Sequence, residues 1–298
     1  LTVGGTGKTP HVEFLAKYFI NKMKIALVSR GYGRKTSGFI VASNNSSADE
    51  IGDEPMQYQI KFGDKATIAV DERRVHALRE LLSKKKYNLF LLDDAFQHRS
   101  LLASFYVLLT DYGRLFTNDF VLPLGLLREN REGASRADVI IVSKCPTDLS
   151  EQKQDVIIEQ IKKYSQAPVF FTEMISSKPK KYNSDEYLKV GTKVLTLSAI
   201  AQNELFINEV SEQYTIDKSF TFKDHHRFSV TEIQEIVDYS MKNNLPVITT
   251  EKDFMRLSQV EFMDLTAKIS IFVVSIEVKF LSKESEFLTL VEQGMVSV

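Results

Sequence analysis

Thr2-Val3-Gly4-Gly5-Thr6-Gly7-Lys8-Thr9-Pro10 is the stretch on which the reading of this chain turns. Gly4, Gly5 and Gly7 let backbone N–H groups curl around an oxyanion. Lys8 brings a charge that reaches β- and γ-phosphates, and Thr9 a hydroxyl suited to Mg²⁺. This is the second half of the phosphate-loop pattern G-x-x-x-x-G-K-[ST], with Thr2 where the pattern has its first glycine. Pro10 suits the first turn of a helix, where its missing N–H leaves nothing unpaired. Val12, Leu15, Ala16 and Phe19 then repeat at spacings of three and four, an apolar stripe for that helix. A glycine-rich turn without a ligand is the competing reading, and it leaves Lys8-Thr9 at the mouth of an amphipathic helix unexplained. Such a loop hangs from a buried strand, so the first strand of the sheet is expected to precede these residues.

Outward from the loop, Ile25–Val28, Ala66–Val70, Leu89–Leu92, Tyr106–Leu109 and Val139–Val142 are short apolar runs. The last three lack alternation, as strands buried on both faces of a parallel sheet do. A helix is expected after Val70, with Asp71 as N-cap, Glu72 in its first turn, Val75, Leu78, Leu81 and Leu82 inward, and Lys84-Lys85-Lys86 at its C-terminal end. Strands alternating with helices predict a doubly wound α/β fold to about residue 170. The polar, lysine-rich stretch Ser176–Glu186, broken by Pro179, marks a connection. A second alternating set follows: strands near 194–197, 220–222 and 246–250, helices near 199–213 and 230–243, a long β-like run at Ser270–Phe280 and a last helix near 283–293. The Ser270–Phe280 run is long enough to serve the second sheet and a strand returning to the first.

Composition sets the outer limits. The 298 residues are 43% hydrophobic and 26% charged, a globular balance, and 38 basic against 39 acidic residues argue against bulk nucleic acid as the main partner. A single cysteine, Cys145, excludes a disulfide framework and a cysteine-based zinc site, in keeping with a reducing compartment. No apolar run reaches the ~18 residues of a membrane span.

Several carboxylates stand where chemistry is expected. Leu89-Phe90-Leu91-Leu92-Asp93-Asp94 has the Walker B form, an apolar strand delivering carboxylates at the sheet edge where ligands bind. One aspartate can hold Mg²⁺ beside Thr9 while its neighbour fixes waters or a loop; taken alone, the pair reads more readily as a cap for the next turn, and it is the phosphate loop that favours the metal reading. Gln97, His98 and Arg99 follow. His98 either positions a phosphate or Asp94 or is simply bonded within its loop. Asp53, between Gly52 and Pro55, is a presented carboxylate or a helix N-cap. In Pro123–Glu129, Arg128 can clamp a phosphate and Glu129 complete a metal shell, or the two form a surface ion pair of little worth. Asp224-His225-His226 has no zinc spacing with His11, His76 or His98, whereas a histidine held by a carboxylate can serve in proton transfer. Thr250-Glu251-Lys252-Asp253 reads best as a helix cap.

Taken in order, Thr2–Pro10, Ser29-Arg30-Gly31-Tyr32-Gly33-Arg34, Gly52-Asp53-Glu54-Pro55, Asp93–His98, Leu122–Glu129, Asp224-His225 and Thr250–Asp253 resemble the tetraacyldisaccharide 4′-kinase family, the lipid A 4′-kinases. The likeness covers nearly the whole chain, and Thr at the first loop position is that family's own form. It implies a P-loop kinase domain (1–170), a two-stranded linker (171–190) and a smaller C-terminal α/β domain (191–298), with the active site in the cleft between the domains. It also implies MgATP-dependent phosphorylation of the 4′-hydroxyl of a tetraacylated glucosamine disaccharide 1-phosphate, giving lipid IVA. By the same resemblance Asp53 and His225 form a catalytic dyad, with Lys8 and Arg128 stabilising the transferred group. Gly4, Gly5, Thr6, Gly7, Lys8 and Thr9 bind ATP; Thr9, Asp93 and Glu129 serve Mg²⁺; Asp94, Gln97 and His98 support them.

The implied partners are the acylated lipid and the inner-membrane surface, met peripherally from the cytoplasmic face. Nucleic acid is not expected, nor an obligate protein partner. The family's membrane-facing segment lies before the phosphate loop. Within the present residues Lys22, Lys24, Arg30 and Arg34, near Tyr32 and Phe39, are expected to form a basic and aromatic face for anionic headgroups. A different class remains open: a nucleotide-driven switch or metallochaperone that hydrolyses nucleotide without an acceptor. Ser143-Lys144 is similar to a GTPase base-reading loop, but Pro146 stands where that loop needs Asp. A binding module without catalysis would not need both Walker elements.

Overall fold

A computed structural model of the chain describes residues 1–2, 4–182, 184–200, 203–224, 226–258 and 260–296. The glycine loop runs into α1 (Lys8–Phe19), which turns His11, Glu13, Ala16 and Phe19 inward, with Val12 and Leu15 packed partly against the same core. There follow β1 (Ile25–Ser29), β2 (Ile40–Val41), α2 (Ala48–Ile51), α3 (Asp53–Phe62), β3 (Thr67–Val70), α4 (Arg74–Lys84) and β4 (Leu89–Leu92). Next come β5 (Val107–Asp111), β6 (Val139–Ser143), α5 (Glu151–Lys162), β7 (Val169–Ser176) and β8 (Lys180–Lys181). The remainder is β9 (Lys193–Ser198), α6 (Asn203–Ser211), β10 (Thr215–Thr221), α7 (Val230–Asn243), β11 (Val247–Thr250), α8 (Glu251–Leu257), α9 (Met263–Thr266), β12 (Ile271–Val274), β13 (Ile276–Phe280) and α10 (Glu284–Val296).

The strands form three sheets, ordered β2-β3-β1-β4, β13-β7-β6-β5 and β10-β9-β11-β12-β8. Each is parallel except for one antiparallel edge: β2 on β3, β13 on β7 and β8 on β12. Every residue of β1 and β6 is buried, as their apolar runs ending in Ser29 and Ser143 allow. β4 and β5 depart from that expectation and are only partly buried. The reason is their place at sheet edges: both line one cavity of about 470 Å³, together with Val12 and Leu15 of α1 and Val291 and Met295 of α10.

Helices α1 and α10 cover the first two sheets at once. Phe14, Phe170, Phe280 and Phe287 meet with ring centroids 4.9–6.4 Å apart and join Phe19 and Ile25 to Val139 and Ile141 in one core. Each such side chain contributes roughly 1.5–3 kcal/mol on burial, so this cluster unites the two sheets. On their opposite faces lie α4, through Ala77 and Leu81, and α5, through Ile157 and Ile161. In the five-stranded sheet, α7 and α8 pack on one face and α6 on the other. The Ser270–Phe280 run does divide its length between two sheets, as β12 and β13, and α7 spans the residues expected from its periodicity.

Two local expectations fail. Asp71 is not the N-cap of α4: its Oδ1 accepts from the Arg73 N–H at 2.8 Å, its Oδ2 meets His76 Nδ1 at 2.6 Å, and Arg73 takes the cap position. The helix therefore starts later and buries Arg74, Ala77 and Leu81; Leu82, about 100° further round, is exposed. Nor does Arg34 join a basic surface, because its side chain is buried in an ion pair with Glu72, while Lys22 is held by Glu292 at 3.2 Å over the Tyr18 ring.

The chain leaves the first two sheets through β7 and returns through β13, paired from Ile276↔Ser176 to Phe280↔Thr172. A second contact joins α3 to α8. Lys61 Nζ donates to Glu13 Oε2 at 2.5 Å and to Glu251 Oε2 at 2.6 Å, and Gln57 Nε2 donates to both carboxylates, at 2.7 and 2.9 Å. Burial works against the charge on Lys61, but Glu13 and Glu251 outweigh it and raise its pKa. Removing the cation with Lys61→Met should leave the buried Glu13 facing the partly buried Glu251 and cost about 3–5 kcal/mol in urea unfolding, with Lys61→Arg retaining most of the stability. A loss below about 1 kcal/mol would mean that the cluster behaves like an exposed ion pair.

Candidate functional site

The loop before α1 runs through the left-handed region at Gly4, Gly5 and Gly7. Gly7, at φ 75° and ψ 27°, is the N-cap of the helix and uses no side chain for capping. The peptide N–H groups at this end and the helix dipole both favour an anion. Lys8 Nζ lies 3.5 Å from Asp94 Oδ1, and Arg128 donates to Asp94 Oδ2 at 2.8 Å. Arg128 is brought there by its backbone: Leu127 is buried and bridged to Thr2, and the Arg128 N–H donates to Leu1 O at 2.8 Å. Burial would raise the Asp94 pKa, but Lys8 and then Arg128 outweigh it and hold the carboxyl below its ordinary value.

Asp93 faces the opposite environment. It is buried, and Tyr58 Oη donates to its Oδ2 at 2.9 Å, with the Thr9 side chain close to the same hydroxyl. Asp93 Oδ1 is buried without a hydrogen-bond partner, and burial raises the pKa of the group. An unpaired buried carboxylate oxygen beside a threonine hydroxyl suits a hard cation that takes one or two protein oxygens and completes its shell elsewhere, as Mg²⁺ does with phosphate and water. Among the described residues no three His, Cys, Asp or Glu side chains gather into a metal cage. Glu54 carries no motif of its own in the sequence. Withdrawal from water, reinforced by Asp93, pushes it to about 7, with Asp94 and Asp53 adding and Lys8 opposing. Its adjacency to Asp53 at the start of α3 was the only signal available.

Glu129 is engaged elsewhere. Its Oε1 accepts from Gln97 at 3.1 Å and Arg136 at 2.7 Å, and its Oε2 from Arg99 at 3.0 Å. Two guanidinium groups already balance the carboxylate, so in this arrangement it anchors arginines rather than adding to the Asp93–Thr9 pair, and Arg128 pairs with Asp94 instead of with Glu129. The His98 imidazole lies near Arg74 and Arg30; partial burial and these two charges lower its pKa.

Asp53 opens α3 because Gly52 permits it. Gly52 has φ 96°, and a Cβ there would lie 2.9 Å from Tyr32 O and 3.1 Å from Gly31 C, so two loops touch backbone to backbone. The Asp53 side chain makes no N-cap hydrogen bond; its Oδ2 lies 4.0 Å from Arg256 of α8. Arg256 is itself paired with the fully buried Asp253 at 3.2 Å. Thr250 caps α8 by accepting from the Asp253 N–H, the structural reading of that segment. His225 lies outside the described residues. On either side of it, Asp224 meets Lys252 of α8 at 3.4 Å, and His226 stacks on Phe222 and contacts Glu232 at 3.1 Å. The residues flanking His225 thus contact α7 and α8, and α8 also carries the Arg256 that faces Asp53.

Beneath the loop lies a residue that sequence reasoning passed over. His11 is buried, with Nδ1 2.8 Å from Gly7 O and Nε2 3.1 Å from Thr172 Oγ1, and burial pushes its pKa down to about 4. Nothing in its spacing distinguished it from a core histidine.

Parallel sheets with a glycine loop, a lysine and paired carboxylates gathered at their C-terminal edge define an α/β protein built to receive a charged, phosphate-like group. The family model described as Tetraacyldisaccharide-1-P 4'-kinase matches residues 1–295, and the chain belongs to that family. It is 44% identical over 295 residues to the tetraacyldisaccharide 4'-kinase of Flavobacterium psychrophilum, covering 96% of this chain and 82% of that one. With the enzyme of the same name from Flavobacterium johnsoniae it shares 40% identity over 293 residues, 96% of this chain and 83% of that one. The crystal structure of "apo" form LpxK from Aquifex aeolicus in complex with ATP is similar at a TM-score of 0.74 and 25% identity, over 99% of this chain and 86% of that one.

His11 gives the site a pH dependence of definite sign. Its folded value of about 4 lies below the ordinary 6.5, so between these values the unfolded chain takes up a proton that the folded chain refuses. The stability tied to neutral His11 is complete above pH 6.5 and is lost as the pH falls towards 4. Urea unfolding of the wild type and His11→Phe at pH 7 and pH 4 should show a difference between the two proteins that changes by on the order of 3 kcal/mol. Parallel losses in both would assign the acid limb to other groups.

Proposed function

We propose that this chain is a P-loop lipid kinase that uses MgATP to phosphorylate the 4′-hydroxyl of a tetraacylated disaccharide 1-phosphate in lipid A biosynthesis. The observation that carries this reading is the convergence of Lys8, Arg128 and Asp94 with the unpaired Asp93 oxygen at the mouth of the glycine loop. Membership of the kinase family and the likeness to an ATP-bound relative support it. In this reading the first two sheets form the kinase domain, the paired β7 and β13 at the edge of the second sheet carry the two-stranded connection, and the third sheet forms the smaller domain.

The loop N–H groups and Lys8 hold the β- and γ-phosphates of ATP. Thr9 and Asp93 are the residues that would hold Mg²⁺, which neutralises charge spread over the transferred phosphoryl group. Arg128 adds a second fixed positive charge; Asp94 keeps both cations aimed before substrate arrives, so little reorganisation is left for the reaction itself. Asp53 and His225 act as the dyad that orients the acceptor hydroxyl and takes its proton late. Glu54, with a pKa of about 7, adds a carboxyl that changes charge near neutral pH and responds to a cation at Asp93. Because Asp53 belongs to α3 while the residues flanking His225 contact α7 and α8, closure would complete the site.

The acceptor carries several acyl chains and resides in a bilayer, so the enzyme works as a peripheral protein at the cytoplasmic face of the inner membrane. No helix among the described residues is long and apolar enough to cross a membrane.

Transfer of radiolabel from the γ-position of ATP to the acylated disaccharide 1-phosphate tests the reaction. Phosphate release without labelled lipid would favour a nucleotide-driven switch instead. Lys8→Ala should lose at least ~100-fold in kcat/KM, the scale of one lost transition-state charge, and Asp93→Asn should shift its Mg²⁺ requirement upward. For the dyad, Asp53→Ala, His225→Ala and the double variant should lose similar activity, since groups that work as a unit are not additive. His226→Ala should matter much less, its ring being engaged by Phe222 and Glu232.

A further inference from the structure

Two successive carbonyls of the glycine loop are held from below by buried side chains. Ser143 Oγ, at the end of β6, lies 2.9 Å from Thr6 O and 3.2 Å from Thr110 O. His11 Nδ1 lies 2.8 Å from Gly7 O. A carbonyl only accepts, so Nδ1 carries the hydrogen; in the neutral ring Nε2 then accepts from the Thr172 hydroxyl at 3.1 Å. His11 is 4% exposed, and Ser143 and Thr172 are fully buried.

The consequence is geometric. In a trans peptide the C=O and the following N–H point to opposite sides, and the only cis bond among the described residues is Leu122–Pro123. Holding Thr6 O towards β6 turns the Gly7 N–H away from the sheet. Gly7 O, the N-cap carbonyl of α1, accepts from the His11 backbone N–H at 3.3 Å and from the closer Nδ1, and this hold does the same to the Lys8 N–H. Successive N–H groups turned outward form a nest for an anion, and glycine, which adopts either sign of φ at little cost, would not keep those planes by itself.

We propose that His11, Ser143 and Thr172 are positioning residues of the phosphate loop, fixing two peptide planes so that the Gly7 and Lys8 N–H groups face the nucleotide phosphates. This rests on the phosphate-loop reading above. None of the three touches nucleotide; they act through the loop backbone.

The test uses the full chain, ATP titration and steady-state kinetics with the acylated acceptor, well below the melting temperature. His11→Phe and Ser143→Ala should raise the ATP Kd and KM about tenfold and lower kcat, with the acceptor KM changed less than about twofold. His11→Asn, whose amide can stand in for Nδ1, should return the ATP constants to within about threefold of wild type. Thr172→Val exchanges a hydroxyl for a methyl and carries the test if His11→Phe does not fold; its expected loss is about threefold in ATP affinity. Wild-type ATP constants in folded Ser143→Ala and Thr172→Val, with Lys8→Ala inactive, would overturn the positioning role and leave the phosphate loop standing. A fully active Lys8→Ala would remove both.

Discussion

Lys61, shared by Glu13 of α1 and Glu251 of α8, is the interaction on which the relation between the sheets depends. The aromatic core joins only the first two sheets, and the β7–β13 pair is a narrow ribbon. The half-buried lysine supplies a second point of contact, and two points define an orientation where one does not. A cation between two carboxylates is stable in such a place only while all three are present, because desolvation outweighs any single attraction once a partner is lost.

The same helix that carries Lys61 also arranges the chemistry. Asp53, Gln57 and Lys61 follow one another at four-residue intervals along the face of α3 turned towards α8. Glu54 and Tyr58, also four apart, serve the neighbouring face, where Tyr58 reaches Asp93 and Glu54 feels its charge. One helical register therefore aligns the proposed acceptor side, the proposed cation side and the contact between the sheets. The glycine contact at Gly31 and Gly52 fixes where that helix begins.

Adjacent aspartates acquire opposite characters within this frame. Asp93 ends β4 in a buried setting with one oxygen given to Tyr58 and one left over, an arrangement that costs free energy until a cation arrives. Asp94 adopts φ 48°, turns out of the strand and meets Lys8 and Arg128. The first is suited to hold a metal and the second to hold cations in place. In the proposed mechanism, preorganisation of this kind places the positive charge before the phosphoryl group is transferred.

The sequence by itself determined the alternation of strands and helices, the glycine loop opening α1, the carboxylates ending β4 and the division of Ser270–Phe280 between two sheets. Each of these is encoded by neighbours in the chain: apolar run length, glycine spacing, a charge at a strand's end. Tertiary structure alone decided which aspartate was buried, that Glu129 would be taken by Arg99 and Arg136 while Arg128 went to Asp94, and that β4 and β5 would border a cavity. The carbonyl clamp of His11 and Ser143 and the cluster around Lys61 were likewise invisible in the sequence. Such features join residues as far apart as His11 and Thr172 or Lys61 and Glu251. No local pattern can announce a partner of that kind, because burial and the competition among nearby charges exist only once the chain has closed on itself.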